Sequence, residues 1–128
     1  MKKRILIVVA SYYEKIAISL LNSAKNKIKN KYSIKVINVP GAFEIPVTIS
    51  KNLNKFNGFI ALGCIIKGQT PHFDFISKAT TDALMTLSIT SKKPMGNGVI
   101  TCLNKKQAME RGKKGSEAAE AVLSVLFQ

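Results

Sequence analysis

The sequence predicts an α/β domain in which a four-stranded parallel sheet lies between two layers of helices. Two observations support this three-layer α/β/α sandwich. Short apolar segments alternate four times with longer segments whose apolar residues recur at helical spacing, and such alternation is typical of parallel sheets covered on both faces. The 128 residues, of which 46% are hydrophobic, are enough for one domain with its own core, spanning 1–128.

Four apolar runs have the length and composition of strands. They are Arg4 to Val9, Ser33 to Val39, Phe59 to Leu62 and Gly98 to Thr101. The second run alternates apolar and polar residues except at Ile37, so we expect this strand to be buried on most of both faces. Pro94 and Met95 lead into the fourth strand.

Five segments have the spacing of helices. They are Ile16 to Ile28, Phe43 to Leu53, Pro71 to Thr90, Lys105 to Arg111 and Ser116 to Phe127. Thr70 suits an N-cap and Pro71 a first helical position, whereas Pro46 fits only within a first turn. Gly112 and Gly115 are expected to break or kink the last helical region. Right-handed crossovers between the strands make a flavodoxin-like arrangement the simplest topology.

The formal net charge of +13 comes almost entirely from lysine. The lysines are spread along the chain without a dense tract, and most fall on outer faces of predicted helices. This distribution is typical of a lysine-rich soluble surface and argues against a nucleic-acid partner, which usually needs clustered cations. A basic field can still attract phosphorylated substrates.

Two features predict a cytoplasmic protein without a membrane partner. No apolar run approaches the roughly 20 residues that span a bilayer, and the run after the basic start, Met1 to Arg4, is too short for a signal peptide. Cys64 and Cys102 lack metal-ligand spacing, so we expect two free thiols in a reducing compartment.

The carboxyl ends of parallel strands meet at one edge of a sheet, where ligands bind. Four predicted loops lie there: Ser11 to Tyr13, Pro40 to Glu44, Cys64 to His72 and Cys102 to Asn104. His72, the only histidine, falls in the first turn of the third helix. Backbone N–H groups there bind anions, and the positive helix end favours a neutral, proton-accepting imidazole. The loops offer an anion site beside a candidate base, with no metal cluster and no phosphate-binding P-loop.

Several segments carry a resemblance to a known family. Val39 to Pro46 and Leu62 to Asp74 resemble the two signature segments of the lumazine synthases, and Asn97 to Thr101, followed by Gln107 to Arg111, resembles their fourth strand and next helix. The resemblance covers nearly the whole chain.

The resemblance implies an enzyme of riboflavin biosynthesis that works without a cofactor. It condenses 5-amino-6-(ribitylamino)uracil with 3,4-dihydroxy-2-butanone 4-phosphate to 6,7-dimethyl-8-ribityllumazine, with loss of phosphate and water. It also implies a homo-oligomer, either a pentamer or an assembly of pentamers, with each site between adjacent subunits.

The same resemblance assigns roles to residues. His72 becomes the proton-transfer residue, Gln69 and Thr70 hold the butanone phosphate, and Arg111 is the charged partner of that phosphate. The remaining matched positions bind the pyrimidine ring, on which Tyr12 stacks, and its ribityl chain. They are Tyr12, Ala42, Phe43, Glu44, Cys64, Ile65, Ile66 and, from a neighbouring subunit, Asn97.

Three of these assignments have structural alternatives. Tyr12 could cover the sheet edge, Glu44 could favour a helix start, and Arg111 could be a solvated surface residue. Cys64 reads as a small buried residue and Phe43 as a packing residue.

The sequence also departs from the family pattern. Gln69 stands where an acidic residue is frequent, Lys67 where arginine is common, and Asn97 where phenylalanine is frequent. The segment after Arg111 is short, which leaves the placement of Lys114 open. Two other functions fit the sequence: a non-enzymatic binder of flavin or lumazine, and a polyanion-binding protein.

Overall fold

The structure, a computed structural model that describes residues 3–128, is a four-stranded parallel sheet with helices on both faces. In chain order the elements are β1 (Arg4–Ala10), α1 (Glu14–Ile28), β2 (Ser33–Val39), a 3₁₀ turn (Ala42–Glu44), α2 (Ile45–Lys51), β3 (Gly58–Ile66), α3 (His72–Ser91), β4 (Met95–Cys102), α4 (Lys105–Met109) and α5 (Lys114–Leu126). The strand order is β2-β1-β3-β4. The predicted sandwich is confirmed, and this order matches the flavodoxin-like pattern.

The two central strands, β1 and β3, fill a separate core on each face of the sheet. From β1, Ile5 and Ile7 pack with α1 and α5, whereas Leu6 and Val8 pack with α2 and α3. Successive side chains of a strand point to opposite faces. A strand that is apolar at every position therefore requires a sheet covered on both sides, as observed.

The prediction that the second strand is buried on most of both faces is wrong. β2 lies at the edge of the sheet, and only Val39 of its seven residues is buried. Its other apolar residues, Ile34, Val36 and Ile37, are half-buried at the margins of the two cores. The apolar pattern of a strand does not reveal how many neighbours that strand has.

The third strand is longer than predicted. It continues past Leu62 to Ile66, because β4 pairs with it as far as the Ile66–Cys102 pair. Gly63 lies inside this strand: a Cβ atom added there would lie 3.1 Å from the Cβ atom of Ala10. This glycine therefore permits close packing, and the predicted loop from Cys64 to His72 shrinks to residues 67–71.

Gly112 lies between α4 and α5 as predicted, but the expectation that Gly115 interrupts the last helix is wrong. Gly115 is buried within α5, where this helix crosses α1. A methyl group at Gly115 would overlap the carbonyl oxygen of Leu20. Beside it, the Ser23 hydroxyl of α1 accepts a hydrogen bond of 2.8 Å from the backbone N–H of Ser116. The glycine allows the two helices to touch through their backbones.

The longest helix, α3, has apolar side chains on both of its sides. Leu84 faces the core, whereas Phe75, Met85 and Ile89 are 68%, 60% and 67% exposed. Their spacing places these three on one side of the helix, away from the sheet. Within residues 3–128, no helix combines the length and apolarity needed to cross a membrane.

We expect Gly115→Ala to lower the free energy of unfolding by about 1–3 kcal/mol, because the new methyl group forces α5 away from α1. This cost exceeds the helix-propensity gain of up to ~1 kcal/mol. Urea unfolding measures the change. Gly68→Ala is the matched control, since no atom lies within 4 Å of the added Cβ. If Gly115→Ala were as stable as Gly68→Ala and the parent, the two helices would have room to separate.

Candidate functional site

A cavity of about 440 Å³ lies at the carboxyl ends of β1 and β3. Seven of the predicted site residues line this cavity, which we call the His72 cavity: Tyr12, Ala42, Phe43, Cys64, Ile65, Ile66 and His72. They come from the loop after β1, the 3₁₀ turn after β2, the end of β3 and the start of α3. The parallel sheet thus brings together residues that are up to 60 positions apart in the chain.

A larger cavity, of about 760 Å³, lies between α1 and α5. Its walls include the ion pair between Lys27 and Glu120, at 2.7 Å, and none of the predicted site residues. The chemistry of the walls, and not the volume, therefore selects the His72 cavity as the candidate site.

His72 is the first residue of α3 and its side chain is exposed at the cavity wall. The helix begins one residue later than predicted, with Pro71 at the N-cap position. The Thr70 hydroxyl accepts a hydrogen bond from the His72 backbone N–H at 3.4 Å. Thr70 and Gln69 are both exposed in the loop before the helix and do not line the cavity.

The turn after β2 is held by Glu44. Its carboxylate oxygen Oε1 accepts a hydrogen bond of 3.0 Å from the backbone N–H of Gly41, and its carbonyl oxygen accepts one from the Thr48 hydroxyl at 2.8 Å. This arrangement buries Ala42 and leaves Phe43 66% exposed at the mouth of the cavity. Glu44 thus stabilises the start of the turn. This is one of the two roles expected for it from the sequence, the other being ligand binding.

Two aromatic rings meet on one side of the cavity. Tyr12 and Tyr13 pack edge to face, with ring centroids 4.9 Å apart and an interplanar angle of 84°. Tyr12 is 76% exposed, whereas Tyr13 is half-buried and the Lys105 ammonium lies 5.9 Å from its ring centroid. Burial, with smaller contributions from Tyr12 and Cys64, raises the pKa of Tyr13. The fixed Tyr13 ring therefore orients Tyr12, which keeps most of its surface available to a planar ligand.

Cys64 and Cys102 are both free thiols, as the sequence predicted. Burial, followed by the charge and the hydrogen bond of the neighbouring Cys102, raises the pKa of the Cys64 thiol to about 12. A thiol of this kind stays protonated near neutral pH and is a poor nucleophile. Cys64 therefore shapes the wall of the cavity and does not attack the substrate.

The structure separates the remaining predicted residues from the His72 cavity. Arg111 lines a third cavity, of about 450 Å³, together with Thr101, Lys114 and Glu117, and we call it the β4-edge cavity. The guanidinium Nη1 of Arg111 donates to the Thr101 carbonyl oxygen at 3.2 Å. The Nζ atom of Lys114, whose placement the sequence left open, lies 3.7 Å from a carboxylate oxygen of Glu117.

Asn97 is exposed on the same edge strand, and its Oδ1 atom accepts a hydrogen bond of 3.0 Å from the Val99 backbone N–H. It lines neither cavity. The predicted site residues thus form two groups on one subunit, one around His72 and one along the free edge of β4.

Three residues of the His72 cavity were not predicted as site residues from the sequence: Tyr13, Gly41 and Ile76. Ile76 lies one helical turn after His72, so the spacing of four residues was the available signal. Tyr13 had a weaker signal, its position beside Tyr12 in a loop at the site edge. Within the described part of the chain, no three His, Cys, Asp or Glu side chains are grouped so that they could hold a metal ion.

Comparison with known proteins gives a consistent result. A family model described as 6,7-dimethyl-8-ribityllumazine synthase matches residues 2–128. The chain is 41% identical to the protein of that name from Bartonella tribocorum over 134 aligned residues, which cover 98% of this chain and 89% of the relative. It is 42% identical to the one from Buchnera aphidicola subsp. Baizongia pistaciae, with coverage of 98% and 86%. It is 38% identical to the one from Agrobacterium fabrum, with coverage of 98% and 93%.

The raised pKa of Cys64 predicts a slow reaction with alkylating reagents. At pH 8 we expect iodoacetamide to modify Cys64 of the folded protein about a thousandfold more slowly than an ordinary thiol, because only the thiolate reacts. Mass spectrometry of the labelled peptides measures the rate. The protein in urea is the control, and both cysteines should react there. Rapid labelling of Cys64 in the folded protein would contradict its role as a buried wall residue.

Proposed function

We propose that this chain, which belongs to the 6,7-dimethyl-8-ribityllumazine synthase family, condenses 5-amino-6-(ribitylamino)uracil with 3,4-dihydroxy-2-butanone 4-phosphate. The product is 6,7-dimethyl-8-ribityllumazine, and phosphate and water are lost. The observation that carries the proposal is the His72 cavity, where a histidine, an exposed aromatic ring and the end of a buried strand converge.

The rate of this reaction depends mainly on proximity of the two substrates and on proton transfer. The amine of the pyrimidine attacks the ketone to form an imine with loss of water, and phosphate is then eliminated to leave an enol that becomes a ketone. The second nitrogen of the pyrimidine attacks this ketone, and the ring closes with loss of a second water. Holding both reactants in one site supplies much of the rate enhancement. His72, exposed at the wall of the cavity, is the group that accepts and returns protons during elimination and closure.

The His72 cavity suits the pyrimidine substrate. Tyr12 offers a stacking surface, Ile65 and Ile66 form an apolar floor at the end of β3, and the 3₁₀ turn presents backbone groups beside Phe43. Gly41 and Glu44 are already joined by a hydrogen bond, so the turn is ordered before the ligand arrives. Such preorganisation reduces the cost of binding.

The phosphate of the second substrate needs cations that the walls of the His72 cavity do not carry. Arg111 and Lys114 face the β4-edge cavity instead. We therefore propose a homo-oligomer in which the β4 edge of one subunit covers the His72 cavity of the next. The resemblance to the lumazine synthases implies that this oligomer is a pentamer. The exposed apolar side of α3, with Phe75, Met85 and Ile89, supports such packing because large apolar patches mark contacts between proteins. The free thiols of Cys64 and Cys102 support a cytoplasmic location.

The direct test mixes the purified protein with the two substrates and follows the fluorescence of the lumazine product. We expect His72→Ala to lower kcat by about 10²-fold or more, the usual contribution of a general acid–base residue. The oligomer should persist in size-exclusion chromatography, because His72 is exposed in the single subunit and belongs to neither core. Lys15→Ala, an exposed change at the same sheet edge but outside the cavity, is the control. A parent protein no faster than the uncatalysed reaction would reject the enzyme.

We expect Arg111→Ala to raise KM for the phosphorylated ketone by about 10- to 100-fold, since a hydrogen bond to a charged group contributes about 1.5–3 kcal/mol. KM for the pyrimidine should stay unchanged. Arg111→Lys retains the charge but loses the planar guanidinium, so its KM for the ketone should lie between those of the parent and of Arg111→Ala. Steady-state kinetics with each substrate varied in turn makes the measurement, and an unchanged KM for the ketone would remove Arg111 from the phosphate site.

The same variants test whether subunits share sites. Subunits carrying His72→Ala are unfolded and refolded together with subunits carrying Arg111→Ala. If the two residues act across an interface, about one quarter of the interfaces carry both native residues after random assortment. Activity at low ketone concentration should then exceed the mean of the two separate variants. Activity equal to that mean would place both residues in the site of one subunit.

A further inference from the structure

Six lysines lie at the amino ends of the four strands, which is the end of the sheet opposite the His72 cavity. Each of the four strands is preceded by at least one lysine in the segment that leads into it. They are Lys3, Lys29, Lys31, Lys55, Lys92 and Lys93, and we call this surface the basic face. All but the half-buried Lys93 are exposed. In the sequence these lysines lie far apart, and the parallel sheet brings them to one edge.

Contacts between the connecting segments join them into one surface. The Ser33 backbone N–H donates to the Lys3 carbonyl oxygen at 3.1 Å, and the Arg4 guanidinium donates to the Lys55 carbonyl oxygen at 2.9 Å. The Lys93 ammonium donates to the carbonyl oxygen of Leu53. Strands lie about 4.8 Å apart, so the basic face spans roughly 15 Å from β2 to β4.

The basic face carries no compensating carboxylate. Of the seven Asp and Glu residues of the chain, none lies in a segment leading into a strand of the described structure. Four of them, Glu14, Glu44, Asp74 and Glu110, lie at the end of the sheet that holds the His72 cavity. The other three, Asp82, Glu117 and Glu120, lie farther along their helices and pair with Lys78, Lys114 and Lys27. Cations occur at both ends of the sheet, but only at the basic face are they without neighbouring Asp or Glu side chains.

Helix dipoles account for only part of this placement. Four helices, α1, α2, α3 and α5, end at the basic face, and each end is equivalent to roughly half a negative charge. Together they offset about two of the six lysine charges at most. Moreover, Lys29 and Lys92 have φ values of 55° and 60°, in the backbone region that favours glycine or asparagine. Lysine occupies both positions in spite of this preference.

An aromatic pair lies at the same end of the molecule. The Phe127 ring, just after α5, is 68% exposed, and it packs edge to face on Tyr32 with centroids 6.2 Å apart. Tyr32 directly follows Lys31 and precedes β2. Exposed aromatic rings beside cations are the usual elements of single-strand nucleic-acid binding, in which bases stack and lysines contact phosphates.

We propose that the basic face binds single-stranded nucleic acid, with its lysines on the phosphates and Phe127 stacked on a base. This binding is independent of the proposed catalysis, because the His72 cavity lies at the opposite edge of the sheet. If the basic face stays exposed in the proposed oligomer, several copies act together on one strand.

The test measures binding of a fluorescent 20-nucleotide oligouridylate to the intact protein by anisotropy, over a series of salt concentrations. We expect the affinity to fall as salt rises. The double variant Lys31→Gln/Lys55→Gln should lower the slope of log K against log salt by about 1.4, since each phosphate contact to a single strand contributes about 0.7. The control Lys15→Gln/Lys106→Gln removes the same charge from the other edge and should leave the slope nearly unchanged. Lumazine formation should be unaffected in both.

Three results would overturn the proposal. An equal loss in the control variant would show that binding follows net charge and not the basic face. A lower melting temperature of Lys31→Gln/Lys55→Gln with an unchanged slope would assign these lysines to helix stability. Binding to phosphatidylserine vesicles without binding to the oligonucleotide would identify a membrane surface instead. Phe127→Ala should weaken oligouridylate binding but not inorganic polyphosphate binding, and equal effects on both ligands would exclude base stacking.

Discussion

Parallel pairing of the two central strands is the constraint on which the arrangement of this protein depends. β1 and β3 run side by side from the Ile5–Gly58 pair to the Val9–Leu62 pair, and both are buried on the two faces of the sheet. Parallel strands cannot be joined by a tight turn. The chain must therefore return from the carboxyl end of one strand to the amino end of the next, and it does so through a helix packed on a face of the sheet. The helical segment that follows each strand, α4 together with α5 in the case of β4, therefore begins at one end of the sheet and ends at the other. The proposed catalytic groups and the lysines of the basic face occupy these two edges.

Much of the fold was predictable because its signals are local. Apolar periodicity located every strand and every long helix, and strand–helix alternation predicted the parallel sheet. The errors concern what depends on distant neighbours. β2 reads as a buried strand, but its place at the edge follows from strand order, which its own residues do not encode. The sequence predicts a break at Gly115 and ends the third strand before Gly63, whereas each glycine lies inside its element and allows another backbone or side chain to come close. Whether a glycine serves a turn or a contact is decided by tertiary packing.

Some residues of the candidate site could be placed from the sequence, and others could not. Residues at strand ends and helix starts, such as Cys64 and His72, could be placed at the cavity because topology alone brings them to one edge. Tyr13 was not predicted, because its position in a loop beside Tyr12 does not distinguish a tyrosine that faces solvent from one that supports its neighbour. The separation of Arg111 from His72 also lay beyond the sequence. A family motif names residues that meet in a working site, but it does not say whether they belong to the same subunit.

This separation has a physical consequence for catalysis. Binding sites for small molecules usually bury 70–90% of their ligand, yet Tyr12 and Phe43 at the mouth of the His72 cavity are 76% and 66% exposed. The cavity of one subunit is therefore too open to exclude water from an imine intermediate. Its walls also lack the cations that a phosphate requires, because a phosphate that loses its water shell needs charged partners. In the proposed oligomer, the neighbouring β4 edge would supply both a cover and the cations of Arg111 and Lys114. Catalysis would then require assembly, because an isolated subunit would have the half of the site that binds the pyrimidine and only the interface would complete the half that binds the phosphate.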